Sequence, residues 1–163
     1  MSAFGSNWHS TWHRGLSLSP VGDTVWVTRA DGRQDVFTKN GTGVYVADPD
    51  VTSVLTPVPA TGPQTGWQLV TADDTVEHYA LAGLLTTVTT RAGLVTKLAY
   101  DGNNNLVQVT GPFGHKLTFV YDANNRVRQM TEPDGRIYVY AYDSRNNLIS
   151  VTYPRCDGAP LRL

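Results

Sequence analysis

The sequence predicts an all-β protein of tandem antiparallel hairpins joined into one curved sheet. Three observations predict it. Tyr-Asp pairs stand 21 residues apart, at Tyr100-Asp101, Tyr121-Asp122 and Tyr142-Asp143, and a fixed period means one small unit copied along the chain. Short runs alternate large residues with small or polar ones and are rich in β-branched and aromatic side chains, the pattern of a strand with two faces. No stretch carries apolar residues at a helical period, so little or no helix is expected.

The columns around the Tyr-Asp pairs repeat in register. An aliphatic follows each tyrosine at Leu106, Val127 and Leu148, then Val109-Thr110, Met130-Thr131 and Val151-Thr152, then Pro112, Pro133 and Pro154. A glycine follows in two copies, Gly114 and Gly135, and Cys156 takes that place in the third. A worn fourth copy lies one period earlier, with Tyr79, Leu85, Val88-Thr89 and Gly93. Residues 76–163 are therefore read as repeats of period 21, and residues 1–75 as a β-rich lead-in.

Each unit holds two strands. The first runs Lys116 to Tyr121 in one copy and Ile137 to Tyr142 in the next. Leu117, Phe119 and Tyr121 share one face, as do Tyr138, Tyr140 and Tyr142. Stacked units are expected to align aromatic on aromatic, worth roughly 0.2–1 kcal/mol per pair. Both faces carry apolar residues, with Val120 and Val139 opposite Phe119 and Tyr140. The second strand runs Leu106 to Thr110, Val127 to Thr131, and Leu148 to Tyr153. The turns between them open on Asp101, Asp122 and Asp143, which can bond the backbone two residues on. Asn104, Asn125 and Asn146 fall at one offset, which predicts a left-handed backbone there. Gly111-Pro112-Phe113-Gly114 and Glu132-Pro133-Asp134-Gly135 are tight turns between units. An aspartate beside an aromatic can also contact sugar or calcium; at the mouth of a turn a structural cap is the preferred reading.

The front half predicts a hairpin from Thr24–Arg29 and Asp35–Thr38 around Asp31-Gly32, and a turn at Asn40-Gly41 before Val44-Tyr45-Val46. Asn40-Gly41-Thr42 formally fits a glycosylation site, but the turn reading is preferred. Pro49, Pro57, Pro59 and Pro63, with Gly62 and Gly66, predict a loop or irregular edge from Asp48 to Gly66. Strand patterning resumes at Gln68–Thr71 and Thr75–Leu81.

Composition narrows the function classes. The chain has 163 residues, enough for a real core, and a formal net charge of -1. It shows no Lys/Arg cluster, so nucleic-acid binding through phosphates is not expected. No apolar run is long enough for a membrane-spanning helix, and no secretory signal is visible. Cys156 stands alone, so no internal disulfide can form.

The pattern Gly-x6-Tyr-Asp-x4-Leu-x2-Val-Thr-x-Pro-x-Gly resembles the YD repeat of Rhs proteins, bacterial rearrangement-hotspot polymorphic toxins, and of their animal relatives the teneurins. Gly5-Ser6-Asn7-Trp8-His9-Ser10, with Arg14 and Leu16, resembles the stretch that leads into the Rhs shell, and Asp31-Gly32-Arg33 with Phe37 resembles the strand pair after it. The family usually has Gly where Asn104, Asn125 and Asn146 stand, and Asn can take the same backbone. The third unit decays: its turn glycine is displaced to Gly158, and the chain stops at Leu163 before another Tyr-Asp. In the family the repeats spiral into a hollow shell around a C-terminal toxin, delivered by type VI secretion or a related route. The resemblance implies a slice of shell wall serving bacterial competition, whose partners are the rest of the shell and its toxin cargo. Secretion machinery and surface carbohydrate are further partner expectations. It implies a secreted or envelope-associated product that is cytoplasmic before export. The family's self-cleaving core is not recognised; Asp48-Pro49-Asp50-Val51 is not its motif. With no toxin domain or anchoring region recognised, the chain reads as an internal fragment or truncated reading frame.

Catalytic chemistry is not expected. The histidines are His9, His13, His78 and His115; His9 and His13 have ligand spacing only on a helix, and two histidines make a poor zinc site. Cys156 sits in a decayed turn, where plain substitution is preferred over a nucleophile. Asp73-Asp74 and Asp48/Asp50 supply paired carboxylates, but adjacent residues on a strand face opposite ways, which defeats shared acid–base work. The glycines have turn spacing and no phosphate-binding pattern, so no cofactor is expected. The leading function is a non-catalytic container wall. The alternative is a carbohydrate-binding surface with Tyr138, Tyr140 and Trp67 as stacking residues, and an enzymatic reading would need activity that depends on His115 or Cys156.

Overall fold

A computed structural model describes residues 3–6, 8–154 and 161–162. Among them every regular element is a strand. They are β1 (Gly15–Leu18), β2 (Thr24–Thr28), β3 (Gln34–Lys39), β4 (Tyr45–Ala47), β5 (Val54–Val58), β6 (Gly66–Val70), β7 (Val76–Ala80), β8 (Leu85–Thr89), β9 (Val95–Tyr100), β10 (Leu106–Thr110), β11 (Lys116–Tyr121), β12 (Val127–Thr131), β13 (Ile137–Tyr142), β14 (Leu148–Tyr153) and β15 (Leu161–Arg162). They form two sheets, one of β1–β4 and one of β5–β15, each with neighbours in strict sequence order. The all-β, antiparallel expectation holds, and the strands divide between two sheets. The division falls after β4, where Asp48-Pro49-Asp50 interrupts the ladder. The expected turn residues Gly158 and Cys156, and the ending at Leu163, lie outside the described residues.

The chain has two compact units, residues 14–97 and residues 1–13 with 98–163. The first has a two-sheet core. Val25, Val27 and Phe37 from β2 and β3 are buried, as are Leu55, Trp67, Leu69 and Leu85 from β5, β6 and β8. Tyr45 meets the Trp67 ring edge-on at 5.1 Å. Leu16 N–H donates to the Gly83 carbonyl at 2.8 Å, and a side chain at Gly83 would collide with the Leu16 carbonyl. Between the sheets sits a buried ion cluster. Glu77 receives Arg14 Nη1 at 2.7 Å and Arg29 Nη1 at 3.0 Å, and Tyr79 Oη donates to it at 2.5 Å. Burial and the Glu77 carboxylate push the Tyr79 phenol well above its ordinary value. The stretch expected as loop or irregular edge contains β5, despite Pro57. It is the last strand of its sheet, so the missing N–H of proline interrupts no ladder on the open side.

In the second unit the five connections from β9 to β14 are one turn used repeatedly. The first residue donates its N–H to the carbonyl of the fifth, and the fourth donates back to the first, as in Asp122 N to Arg126 O at 2.8 Å and Asn125 N to Asp122 O at 3.1 Å. The fourth position is left-handed every time: Asn104 at φ 63°, Gly114 at 81°, Asn125 at 57°, Gly135 at 84° and Asn146 at 64°. This is the three-residue hairpin loop closed by a left-handed residue, and it explains why Asn and Gly share the column.

The expected aromatic-on-aromatic pairing takes a different form. Phe119 lies opposite Met130, and Met130 lies opposite Tyr138. Tyr140 lies opposite Val151. The second strand of each hairpin stands between successive aromatic strands, so rings one period apart are not cross-strand neighbours. Among the described residues no helix is long and apolar enough to cross a membrane, which says nothing of strands.

Candidate functional site

The repeats are held together by bonds at their conserved-looking columns, and an N-terminal strap lies across them. Tyr121 and Tyr142 sit where the strand register shifts, between Val120 and Tyr121 and between Ala141 and Tyr142; Tyr79 sits at an equivalent shift. Such a bulge re-aims a side chain. Here it lets Tyr121 Oη donate to the Leu106 carbonyl at 2.9 Å and Tyr142 Oη donate to the Val127 carbonyl at 2.8 Å. Tyr121 and Tyr142 thus each bond the aliphatic column of the preceding unit. Burial, then the Asp122 carboxylate, pushes the Tyr142 phenol up to about 12.

The repeat aspartates cap their own turns. Asp101 Oδ1 accepts the N–H groups of Asn103 and Asn105 at 2.9 Å each. Asp122 Oδ1 accepts those of Asn124 and Arg126 at 2.9 and 3.0 Å. Asp143 Oδ1 accepts those of Arg145 and Asn147 at 2.8 Å each. The second oxygen takes the side chain of the fifth turn residue: Asn105 at 3.2 Å, Arg126 Nε at 2.8 Å, Asn147 at 2.9 Å. These aspartates are occupied by turn structure, which accounts for them without sugar or calcium.

A further link runs from turn to turn. Asn105 Nδ2 donates to Asn125 Oδ1 at 3.2 Å, and Arg126 Nη1 donates to Asn146 Oδ1 at 2.9 Å. The fifth residue of one turn reaches the left-handed asparagine of the next. Arg126 also lies over the Tyr142 ring at 4.6 Å.

The strap comprises residues 3–6 and 8–13. The Val127 N–H donates to the Ala3 carbonyl at 2.7 Å, and Ser6 N–H donates to the Asn146 carbonyl at 2.7 Å. Gly5 has φ 81°, and a side chain there would strike the Asn146 carbonyl and crowd the Tyr142 ring. Phe4 meets Tyr140 edge-on at 5.1 Å and His13 at 5.2 Å, and His13 meets Phe119 at 5.2 Å. The row Phe119–His13–Phe4–Tyr140 is therefore continuous only because the strap supplies its two middle rings.

His13 is fixed as one tautomer. The Tyr121 hydroxyl spends its proton on Leu106, so its oxygen accepts from His13 Nε2–H at 2.9 Å. Nδ1 then accepts from Ser10 Oγ at 2.5 Å. Burial lowers His13 to about 4. A histidine beside a serine is also how serine nucleophiles are activated. Ser10 Oγ, however, accepts the His13 backbone N–H at 3.3 Å as well, and this local turn accounts for its position.

Beside the strap is a cleft of about 450 Å³, lined by Trp8, Trp12, Phe119, Tyr138, Tyr140 and Tyr153 among others. Tyr138 Oη donates to Glu132 at 2.6 Å at its edge. Of the proposed stacking residues, Tyr138 and Tyr140 lie here, while Trp67 is 1% exposed and belongs to the core of the other unit. His115 is exposed in a turn, and Cys156 lies outside the described residues. Asp73 caps the Thr71–Thr75 turn, and Asp74 pairs with Arg91 at 3.4 Å. Among the described residues no group of three or more His, Cys, Asp or Glu could hold a metal. Sequence reasoning missed the strap; the glycine and aromatic residues at Phe4-Gly5 were its faint signal.

An architecture of identical hairpins, stitched unit to unit and capped by their own aspartates, defines a structural β-repeat protein. The family model for the RHS repeat matches residues 81–116 and 121–155, and these two stretches are Rhs, or YD-type, repeats. No curated protein matches the chain. The first matched stretch contains Tyr100, and the second contains the stitching tyrosines Tyr121 and Tyr142.

Proposed function

We propose that this chain is a stretch of wall in an Rhs-type shell that encloses a toxin and accompanies it out of the cell. The observation that carries this reading is the one-directional stitch. Tyr121 and Tyr142 each bond the unit before their own, and the turn side chains of Asn105 and Arg126 each bond the turn after their own. Such a scheme extends without limit and leaves the repeat aspartates and tyrosines occupied by structure, as a wall requires. The partners are further shell and the enclosed polypeptide, and the product works in the envelope or outside the cell after synthesis in the cytoplasm. A protease-protection experiment on the product of the whole reading frame tests this. Its C-terminal segment resists protease in the intact protein and becomes sensitive in a Tyr121→Phe/Tyr142→Phe variant. A C-terminal segment equally accessible in both removes the reading.

A second reading rests on the cleft. Its aromatic rings, with Glu132 and the Tyr138 hydroxyl at the edge, suit the apolar face and hydroxyls of a sugar. A glycan array compared between the native chain and its Tyr138→Ala and Tyr140→Ala variants tests it; no binding by folded native protein eliminates it.

A further inference from the structure

We propose that Asn40 converts itself to aspartate in the folded chain: the backbone nitrogen of Gly41 attacks its carboxamide, and water is the only other reactant. The inference goes beyond the wall reading and does not depend on it.

The turn from Asn40 to Val44, between β3 and β4, has the form of the repeat turns. Asn40 N–H donates to the Val44 carbonyl at 2.8 Å and Gly43 N–H donates to the Asn40 carbonyl at 3.0 Å. Gly43 is left-handed at φ 87°. Asn40 Oδ1 accepts the N–H groups of the third and fifth residues, Thr42 and Val44, at 3.0 Å each. Asp101 Oδ1 accepts those of Asn103 and Asn105 in the same way. Asn40 Oδ1 takes a third bond, from Thr42 Oγ1 at 2.7 Å. This turn is thus headed by an amide where the repeat turns are headed by an acid.

The three donors draw electrons from Asn40 Cγ. They also stabilise the negative charge that an attack there places on Oδ1, as an oxyanion hole does. The nucleophile is the next residue in the chain, so the attack is intramolecular. Gly41 is exposed, carries no Cβ to obstruct the approach, and its N–H donates to no described residue. Asn40 Nδ2 holds no hydrogen bond among the described residues, since the side chain's bonds all end on Oδ1. The Gly41 amide gives its proton to solvent and its nitrogen bonds to Cγ. The Cγ–Nδ2 bond then breaks, ammonia leaves with that proton's equivalent, and a cyclic imide closes. Water adds to Cγ and breaks its bond to the Gly41 nitrogen, which regains a proton and restores the peptide beside an aspartate. Opening at the backbone carbonyl instead would add a carbon to the main chain and pull Oδ1 away from Thr42 and Val44; the turn therefore favours aspartate.

The asparagines of the repeat turns are protected from the same reaction. The amides that follow Asn103 and Asn125 are those of Asn104 and Arg126, and each is bonded to an oxygen of its turn aspartate. The amides following Asn104, Asn124 and Asn146 are held likewise. Each of these following residues also carries a Cβ, which Gly41 lacks.

Mass spectrometry of the whole chain during incubation at neutral pH, with peptide mapping, tests the proposal. Residue 40 gains the mass of an amide-to-acid exchange ahead of the repeat asparagines, and an aspartate-specific protease cuts there. The folded chain reacts about tenfold faster than the chain unfolded in urea, and Thr42→Ala slows the folded chain about tenfold, the effect of one hydrogen bond made in the transition state. Gly41→Ala also slows it, and the added methyl meets nothing within 4 Å. Asn40 left intact while a repeat asparagine reacts overturns the proposal. So does a folded rate at or below the unfolded one, an unchanged rate in both variants, or a product that the protease does not cut. Should either variant fail to fold, the comparison of folded and unfolded native chain decides alone.

Discussion

The Tyr142 hydroxyl donates to the carbonyl of Val127 at 2.8 Å, fifteen residues back along the chain. The same bond joins Tyr121 to Leu106 at 2.9 Å. Two columns of the repeat, the tyrosine and the aliphatic, are therefore partners in one interaction between successive units. Removing the two hydroxyls should have unequal effects. Tyr142→Phe costs about 1 kcal/mol, the net worth of a hydrogen bond. Tyr121→Phe costs more, about 2–3 kcal/mol, because it also leaves His13 Nε2–H without its acceptor. Urea unfolding midpoints at constant m-value check the order, and equal losses would show that His13 does not depend on Tyr121.

The three turn aspartates should not be equivalent. Asp122 accepts two backbone N–H groups and the Arg126 guanidinium, and Arg126 carries the link to Asn146. Asp122→Ala destabilises by about 1–3 kcal/mol and exceeds Asp101→Ala and Asp143→Ala, measured as melting temperature in parallel. Burial raises the Asp122 carboxyl, but the Arg126 and backbone hydrogen bonds outweigh it and the net shift is downward. Its contribution is therefore present above the ordinary aspartate range and lost as pH falls through the lowered value. The Ala variant should lack that part of the acid transition.

The left-handed asparagines are tested by Asn104, exposed at φ 63°. Asn104→Gly is expected within about 0.5 kcal/mol of the native chain, since glycine takes this backbone without strain. Asn104→Val costs about 1–2 kcal/mol, because a β-branched residue is forced into the left-handed region. Thermal unfolding of both variants distinguishes them. A Val variant as stable as the Gly one would mean the turn had changed type.

Glu77 is 1% exposed and joined to Arg14, Arg29 and Tyr79. Glu77→Ala strands two guanidinium groups in a closed site and costs about 3–5 kcal/mol. Changing Glu77 to Gln together with Arg29 to Met should recover part of that loss, since fewer unpaired charges remain. A double variant as unstable as Glu77→Ala would place the cost in packing and not in charge.

The period of 21, the alternating strands, the left-handed asparagines and the Asp-headed turns were all legible in the sequence. Each is local: backbone sterics at Asn104 or the reach of Asp101 to Asn103 involve residues within one turn. The strand in the proline-rich stretch was less so, because tolerance of Pro57 depends on β5 lying at a sheet edge. The role of Trp67 was decided only by packing, which buried it against Tyr45. The strap was decided there too. Nothing near His13 in the chain announces that its ring bonds Tyr121, 108 residues away, or that it completes an aromatic row with Phe4. Local chemistry could write the hairpins; only the folded chain brings the distant partners within bonding distance, where burial sets the charge state of the histidine between them.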